Sequence, residues 1–281
     1  MPNGGDNGLL ASVVVVAYLQ EHGLQACLPA LASQSLARDR YEIIVVDNGG
    51  NGAAKQATAG LWDSWLETGS NLGCSGGRNF GAKACRADVV FFIDDDGVVN
   101  RGFLASGLAA LTSDPTVVAV RGKIVPKEQW LLTTLLDGVG DLGPEPGRNV
   151  GYELEGASCV RRADFDAVGG FDERLAGGEG RDFIVRTRLQ RPEATVLYEP
   201  AMELAHDYVR DFGHFLYKAR RAAIAKDRWL QGAAMPTYNP PPGTFDLPPW
   251  RPPLWLRAAR RALGHAMPYI GALPYRVREA R

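Results

Sequence analysis

The sequence has little cysteine, no long apolar run and almost no net charge. Only Cys27, Cys74, Cys85 and Cys159 occur in 281 residues, and no two form a C-x-x-C pair. That spacing argues against a thiolate zinc site and for a reducing compartment, so a cytoplasmic location is expected. The longest apolar stretch, Leu9 to Leu19, is broken by Ser12 and falls short of the roughly 20 residues that span a bilayer. No basic segment precedes it and no small-residue cleavage site follows, so a secretory leader is not expected. The formal net charge of −1 excludes the global positive field of a nucleic-acid binder. No internal repeat is visible. The remaining mixture, 46% hydrophobic and 22% charged, suits a folded protein with a sizeable core.

Charge is unevenly placed. From Arg210 onward there are 13 Lys and Arg against 4 Asp and Glu, so an acidic body precedes a basic tail. The tail holds Trp250, Trp255, Arg257, Arg260, Arg261 and Tyr269, and residues 231–253 are rich in proline. Such proline spacing forbids one long amphipathic helix. The tail is therefore expected to pack on the body or form a homodimer contact. Peripheral attachment to an anionic membrane is the less favoured use.

Four runs read as strands: Val13–Val16, Ile43–Val46, Val89–Ile93 and Val117–Val120. They are continuously apolar rather than alternating, as strands covered on both faces are. Leu24, Leu28 and Leu31 fall at helical spacing between the first two, and Ala53–Leu66 and Gly76–Ala87 offer further helices. This order predicts an α/β fold with a mostly parallel sheet and helices on both faces. In such sheets ligands bind beyond the carboxyl ends of the strands, where Tyr18, Asp47 and Asp94-Asp95-Asp96 stand. Lys127 to Gly151 reads as a long Gly/Pro-rich loop, Phe183–Leu189 as a helix and Thr195–Tyr198 as a short strand. Asp211–Leu230 carries a helical stripe.

Three adjacent carboxylates at a strand end repel one another unless a cation neutralises them. A hard divalent ion, Mn²⁺ or Mg²⁺, would do so and leave coordination positions for a diphosphate. A solvated acidic turn is the plainer alternative.

In order along the chain come Asp47-Asn48-Gly49, Asn71-Leu72-Gly73, Gly77-Arg78-Asn79-Phe80-Gly81, Asp94-Asp95-Asp96, Gly169-Gly170-Phe171-Asp172-Glu173, Gly178-Glu179 and His206. Over Leu10 to Asp207 this series resembles a family 2 glycosyltransferase of the GT-A fold. The resemblance implies inverting sugar transfer from a nucleoside diphosphate sugar, a UDP- or dTDP-sugar first, to an acceptor hydroxyl. It further implies a GT-A domain over 1–209, with a nucleotide-binding half at 10–121 and an acceptor half at 122–209, followed by a basic extension at 210–281. It assigns Tyr18, Asp47 and Asn48 to the base, and Arg78 and Asn79 to the nucleotide and the aspartate loop. Asp94 and Asp95 fall to the ribose and metal, and Asp94, Asp96 and His206 to the metal.

The family usually reads Glu-Asp-x-Asp where this chain has Glu179-Gly180-Arg181-Asp182. Gly180 occupies the place of the expected base, leaving Glu179 as the candidate and Asp182 as the fallback. Trp130 in the long loop, and less so Trp62 and Trp65, are candidates for an acceptor platform. Two other readings compete. Gly180 prompts a non-catalytic nucleotide-sugar binder. A sugar-1-phosphate nucleotidyltransferase needs a Gly-rich basic loop after the first strand, and Ala17-Tyr18-Leu19-Gln20-Glu21 lacks one.

Overall fold

The computed structural model describes residues 8–19, 21–128, 142–149, 154, 156–175 and 178–206, with scattered positions from 212 to 266. Trp130 and residues 231–253 lie outside the described residues, as does nearly all of the basic tail. The expected docking, homodimer and membrane contacts of the tail fall on residues outside that set.

The four apolar runs are strands β1 (Ala11–Ala17), β2 (Tyr41–Asp47), β4 (Val89–Asp94) and β6 (Val117–Val125). They belong to a nine-stranded sheet ordered β3-β2-β1-β4-β8-β6-β9-β5, with β7 (Gly147–Arg148) paired to β9. Here β3 is Ser64–Glu67, β5 Val98–Val99, β8 Ala157–Arg161 and β9 Thr195–Ala205. The pairings give β1, β2, β3, β4, β6 and β9 one common direction, and reverse β8, β5 and β7. The expected mostly parallel α/β sheet is present, with β8 inserted antiparallel between β4 and β6.

Alternation along the strands divides the core in two. Val13, Val15, Ile43, Val45, Phe91 and Ile93 face helices α1 (Glu21–Ala32) and α4 (Phe103–Thr112). Val14, Ile44, Val46, Val90 and Phe92 face α3 (Gly73–Ala82), α5 (Arg162–Ala167) and α6 (Glu179–Gln190). Phe171 sits in the second core with ring centroids 5.3 Å from Phe92, 5.1 Å from Phe165 and 5.8 Å from Phe183.

Three expectations need correction. Trp65 and Leu66 are on edge strand β3 rather than in a helix, and α2 is confined to Gly52–Ala57. Their pairing with Val45 and Val46 lets an apolar run extend the sheet, outweighing local helix propensity. Strand β9 does not stop at Tyr198. Its register against β6 jumps between Gly122 and Lys123, opposing Glu199 and Glu203. Pro200 lies inside that irregularity, where no ladder donor is required. Helix α6 starts at Glu179, four residues ahead of the predicted start, because Gly178 takes a left-handed φ of 79° and turns the chain into it.

Phe171→Ala empties the centre of the aromatic cluster and should cost about 3–5 kcal/mol in denaturant unfolding. A midpoint within error of the parent would show that the cluster is loosely packed.

Candidate active site

Strand register brings the candidate residues to one edge. Ala17 pairs with Asp47, and Val16 with Asp94, so Tyr18, Asp47 and Asp94 leave the sheet side by side. Ile93 pairs with Ala157, which sets Gly156 against Asp94. Val98 pairs with Ala205, which returns His206 to the Asp94–Asp96 turn.

The turn is tightly enclosed. A β-carbon on Gly156 would lie 1.8 Å from Asp94 Oδ2, and one on Gly23 would lie 2.9 Å from the Asp95 carbonyl oxygen. Only hydrogen fits at either place. The Tyr18 N–H donates to Asp95 Oδ2 at 3.1 Å. Burial, followed by the Asp96 and Asp94 charges, pushes the Asp95 carboxyl up to about 8. Beneath the turn the Cys27 thiol is raised well above its ordinary range by burial and by the same three aspartates. Negative charge thus exceeds what the surrounding cations offset.

His206 Nε2 lies 3.3 Å from Asp96 Oδ1. Neighbouring ligands around a six-coordinate ion at about 2.1 Å are about 3 Å apart, so this pair fits two adjacent positions of such an ion. Asp94 is engaged differently. Its Oδ1 accepts from Arg78 Nη2 at 2.9 Å. Among the described residues no group of three Asp, Glu, His or Cys side chains is disposed to hold an ion. Two protein ligands still fit a magnesium-like ion, which takes one or two carboxylates and completes its shell with water and phosphate oxygens.

Arg78 comes from the middle of α3 and is buried. Its Nη1 donates to Glu179 Oε1 at 3.0 Å, so one guanidinium joins the end of β4 to the start of α6. Glu179 is 5% exposed, and its Oε2 has no hydrogen-bond partner among the described residues. Asp182 is held by Arg186, with Nη2 2.6 Å and Nε 2.7 Å from Oδ2. Arg186 Nη2 also donates to the Gly170 carbonyl oxygen at 2.7 Å.

The remaining expected donor residues are engaged internally. Asp47 accepts the backbone N–H groups of Gly49, Gly50 and Asn51 and the Asn51 side-chain amide. Although burial opposes it, these bonds hold the Asp47 carboxyl below its usual range. Asn48 Nδ2 donates to Asn71 Oδ1 and to the Gly73 carbonyl, while its Oδ1 accepts from Leu72 N–H and Thr68 Oγ1. Asn79 staples α3 to the Phe171 backbone in both directions and donates to Glu173 at 3.0 Å. Tyr18 is half-exposed and its ring covers Gly49, where a β-carbon would come within 2.4 Å of it. Trp62 and Trp65, with ring centroids 5.5 Å apart, pack against the first core.

Gly156, Gly23 and Arg186 were not singled out in the sequence. Their importance comes from approach distances and partners that no local pattern encodes.

Residues 12–137 match the family model described as Glycosyl transferase family 2. The chain is 34% identical to the pre-mycofactocin glycosyltransferase of Mycobacterium tuberculosis over 176 residues, 58% of this chain and 34% of the relative. It is 26% identical to the glycosyltransferase AglE of Haloferax volcanii over 106 residues, 36% of this chain and 35% of the relative. The chain thus spans about a third of the length of the curated relatives it matches. Among solved structures, its fold is similar to the mannosyltransferase PcManGT from Pyrobaculum calidifontis in complex with GDP-Man and Mn²⁺. The TM-score is 0.61 at 18% identity, covering 93% of this chain and 72% of that one. It is also similar to S. aureus TarS 1-349, with a TM-score of 0.55 at 18% identity over 80% and 73%.

Asn48→Asp keeps the shape of the side chain but turns two donated bonds into acceptor–acceptor contacts. Asn48 is buried while Asn71 and Gly73 are exposed to water, so the substitution should lower unfolding stability by about 1 kcal/mol. Thermal unfolding of the purified variant reads this, and an unshifted transition would mean that the amide does not organise the loop.

Proposed function

Because this chain carries a glycosyl transferase family 2 domain in a GT-A fold, we propose that it transfers a sugar from a nucleoside diphosphate sugar to an acceptor hydroxyl, with inversion. The reading is carried by the buried Glu179 carboxylate, which has one oxygen on Arg78 and the other without a hydrogen-bond partner among the described residues, beside the Asp94–Asp96 turn. A buried carboxylate oxygen with no donor costs about 1–3 kcal/mol. A hydroxyl supplied by an acceptor would complete it.

In this reading Glu179 Oε2 takes the proton of the acceptor hydroxyl as that oxygen attacks the anomeric carbon opposite the departing diphosphate. General-base help of this kind is worth about 10²- to 10⁴-fold. Asp182, already bound to Arg186, is the weaker candidate. Asp96 and His206 would hold a divalent ion, Mn²⁺ or Mg²⁺, which supplies Lewis-acid neutralisation of the leaving diphosphate when bound. Asp95 and Asp94 line the same corner on the donor side. The half-exposed Tyr18 ring offers a face for the base, and Asp47 and Asn48 support that subsite by shaping the loops around it.

The fold neighbours support a nucleotide-sugar donor in general. One is solved with GDP-Man, and TarS 1-349 with UDP-GlcNAc, so the base stays open for this chain. A second reading, a nucleotide-sugar binder without turnover, draws on Gly180 in the place of the family's usual base.

A thermal-shift panel of UDP-, dTDP- and GDP-sugars, with and without Mn²⁺, tests the donor. Saturation at about 100 times Kd adds about 2.7 kcal/mol, so a productive nucleotide sugar should raise Tm by several degrees, and more with Mn²⁺. No stabilisation by any member would refute nucleotide-sugar binding. Glu179→Gln should retain that shift while nucleoside diphosphate release falls by about 10²-fold or more. Binding without release in the parent protein would instead establish the second reading.

A further inference from the structure

We infer that Arg78 acts in catalysis as a positioning residue for Glu179. The inference rests on the reading of Glu179 as the base.

Arg78 reaches its partners from a helix packed unusually close to the sheet. A β-carbon on Gly77 would stand 2.5 Å from Val16 Cγ1, and one on Gly81 would stand 2.5 Å from Val14 Cγ1. These two glycines let α3 approach β1, which sets the depth of the guanidinium between them. From there Nη2 reaches Asp94 Oδ1 at 2.9 Å and Nη1 reaches Glu179 Oε1 at 3.0 Å. Arg78 and Glu179 side chains are each 6% exposed, so water screens the pair little.

A guanidinium is a planar fork, and its bond to one carboxylate oxygen restricts how the carboxyl group can turn. Holding Oε1 therefore directs Oε2. That second oxygen is buried and has no hydrogen-bond partner among the described residues. The same guanidinium compensates Asp94, and without it the buried Glu179 and the partly exposed Asp94 lose their shared cation. The two bonds use one N–H on each terminal nitrogen of the guanidinium. Lysine, a point charge on a flexible stem, restores charge but not the fork.

The test uses Arg78→Gln, Arg78→Lys, Glu179→Gln and the double variant Arg78→Gln/Glu179→Gln. Release of nucleoside diphosphate from GDP-mannose and UDP-GlcNAc is followed with Mn²⁺ at saturating donor, alongside the donor KM. Arg78→Gln should lower kcat by about 10²-fold, with donor KM changed no more than a few-fold. Arg78→Lys should fall between it and the parent. The double variant should be no slower than Glu179→Gln alone, because residues acting as a unit are not additive.

A raised donor KM with kcat intact in Arg78→Gln overturns the inference, and so does a double variant as slow as the product of the two single losses. Full turnover in Glu179→Gln overturns the base reading itself, a separate result. Where Arg78→Gln does not fold, Arg78→Lys is read against the same outcomes. A ligand-free crystal structure of the Arg78 variant gives a reading independent of donor choice: Glu179 should leave its present rotamer, and an unmoved carboxylate counts against the inference.

Discussion

The Arg78 guanidinium, shared by Asp94 and Glu179, is the contact on which the architecture of the corner depends. Three aspartates end one strand and a buried glutamate begins a facing helix. In a low-dielectric setting such carboxylates repel strongly unless a cation lies between them. Arg78 supplies that cation for two of them, and His206 faces a third. Asp95, which has only the Tyr18 N–H as a hydrogen-bond donor in its described bonds, is the carboxyl pushed upward.

Close approach makes the arrangement possible. Gly156 leaves room for the Asp94 carboxylate, Gly23 lets α1 settle on the aspartate turn, and Gly77 and Gly81 bring α3 onto β1. Consecutive residues of α3 then reach in different directions. Arg78 holds the start of α6, and Asn79 holds the Phe171 backbone and Glu173. Helix α3 thereby ties the first half of the sheet to the segment that precedes and begins α6. A divalent ion at Asp96 and His206 would enter a corner in which Arg78 already serves Asp94 and Glu179.

Much of the fold was legible because continuous runs of β-branched and aromatic residues encode strands covered on both faces. Val13–Val16, Ile43–Val46 and Val89–Ile93 became β1, β2 and β4 for that reason. The misses have physical causes. Trp65 and Leu66 form a strand only because β2 offers them an edge, and β9 passes Pro200 only because its partner slips register there. At the site, the clustering of Asp94, Arg78, Glu179, Asp96 and His206 followed from the ordered motifs. The internal duties of Asp47, Asn48 and Asn79 did not, since each depends on which backbone groups the folded loops leave unpaired.

What the chain determined by itself is a set of local facts: four buried strand segments, carboxylates at the strand ends, and a helix over Phe183–Leu189. These arise from β-branched side chains, turn chemistry and period, all read within a few residues. Tertiary structure alone decided which charge meets which. Arg78 and Glu179 are 101 positions apart, and their pairing, like the bare Oε2 it leaves, exists only after helix and sheet have closed around it.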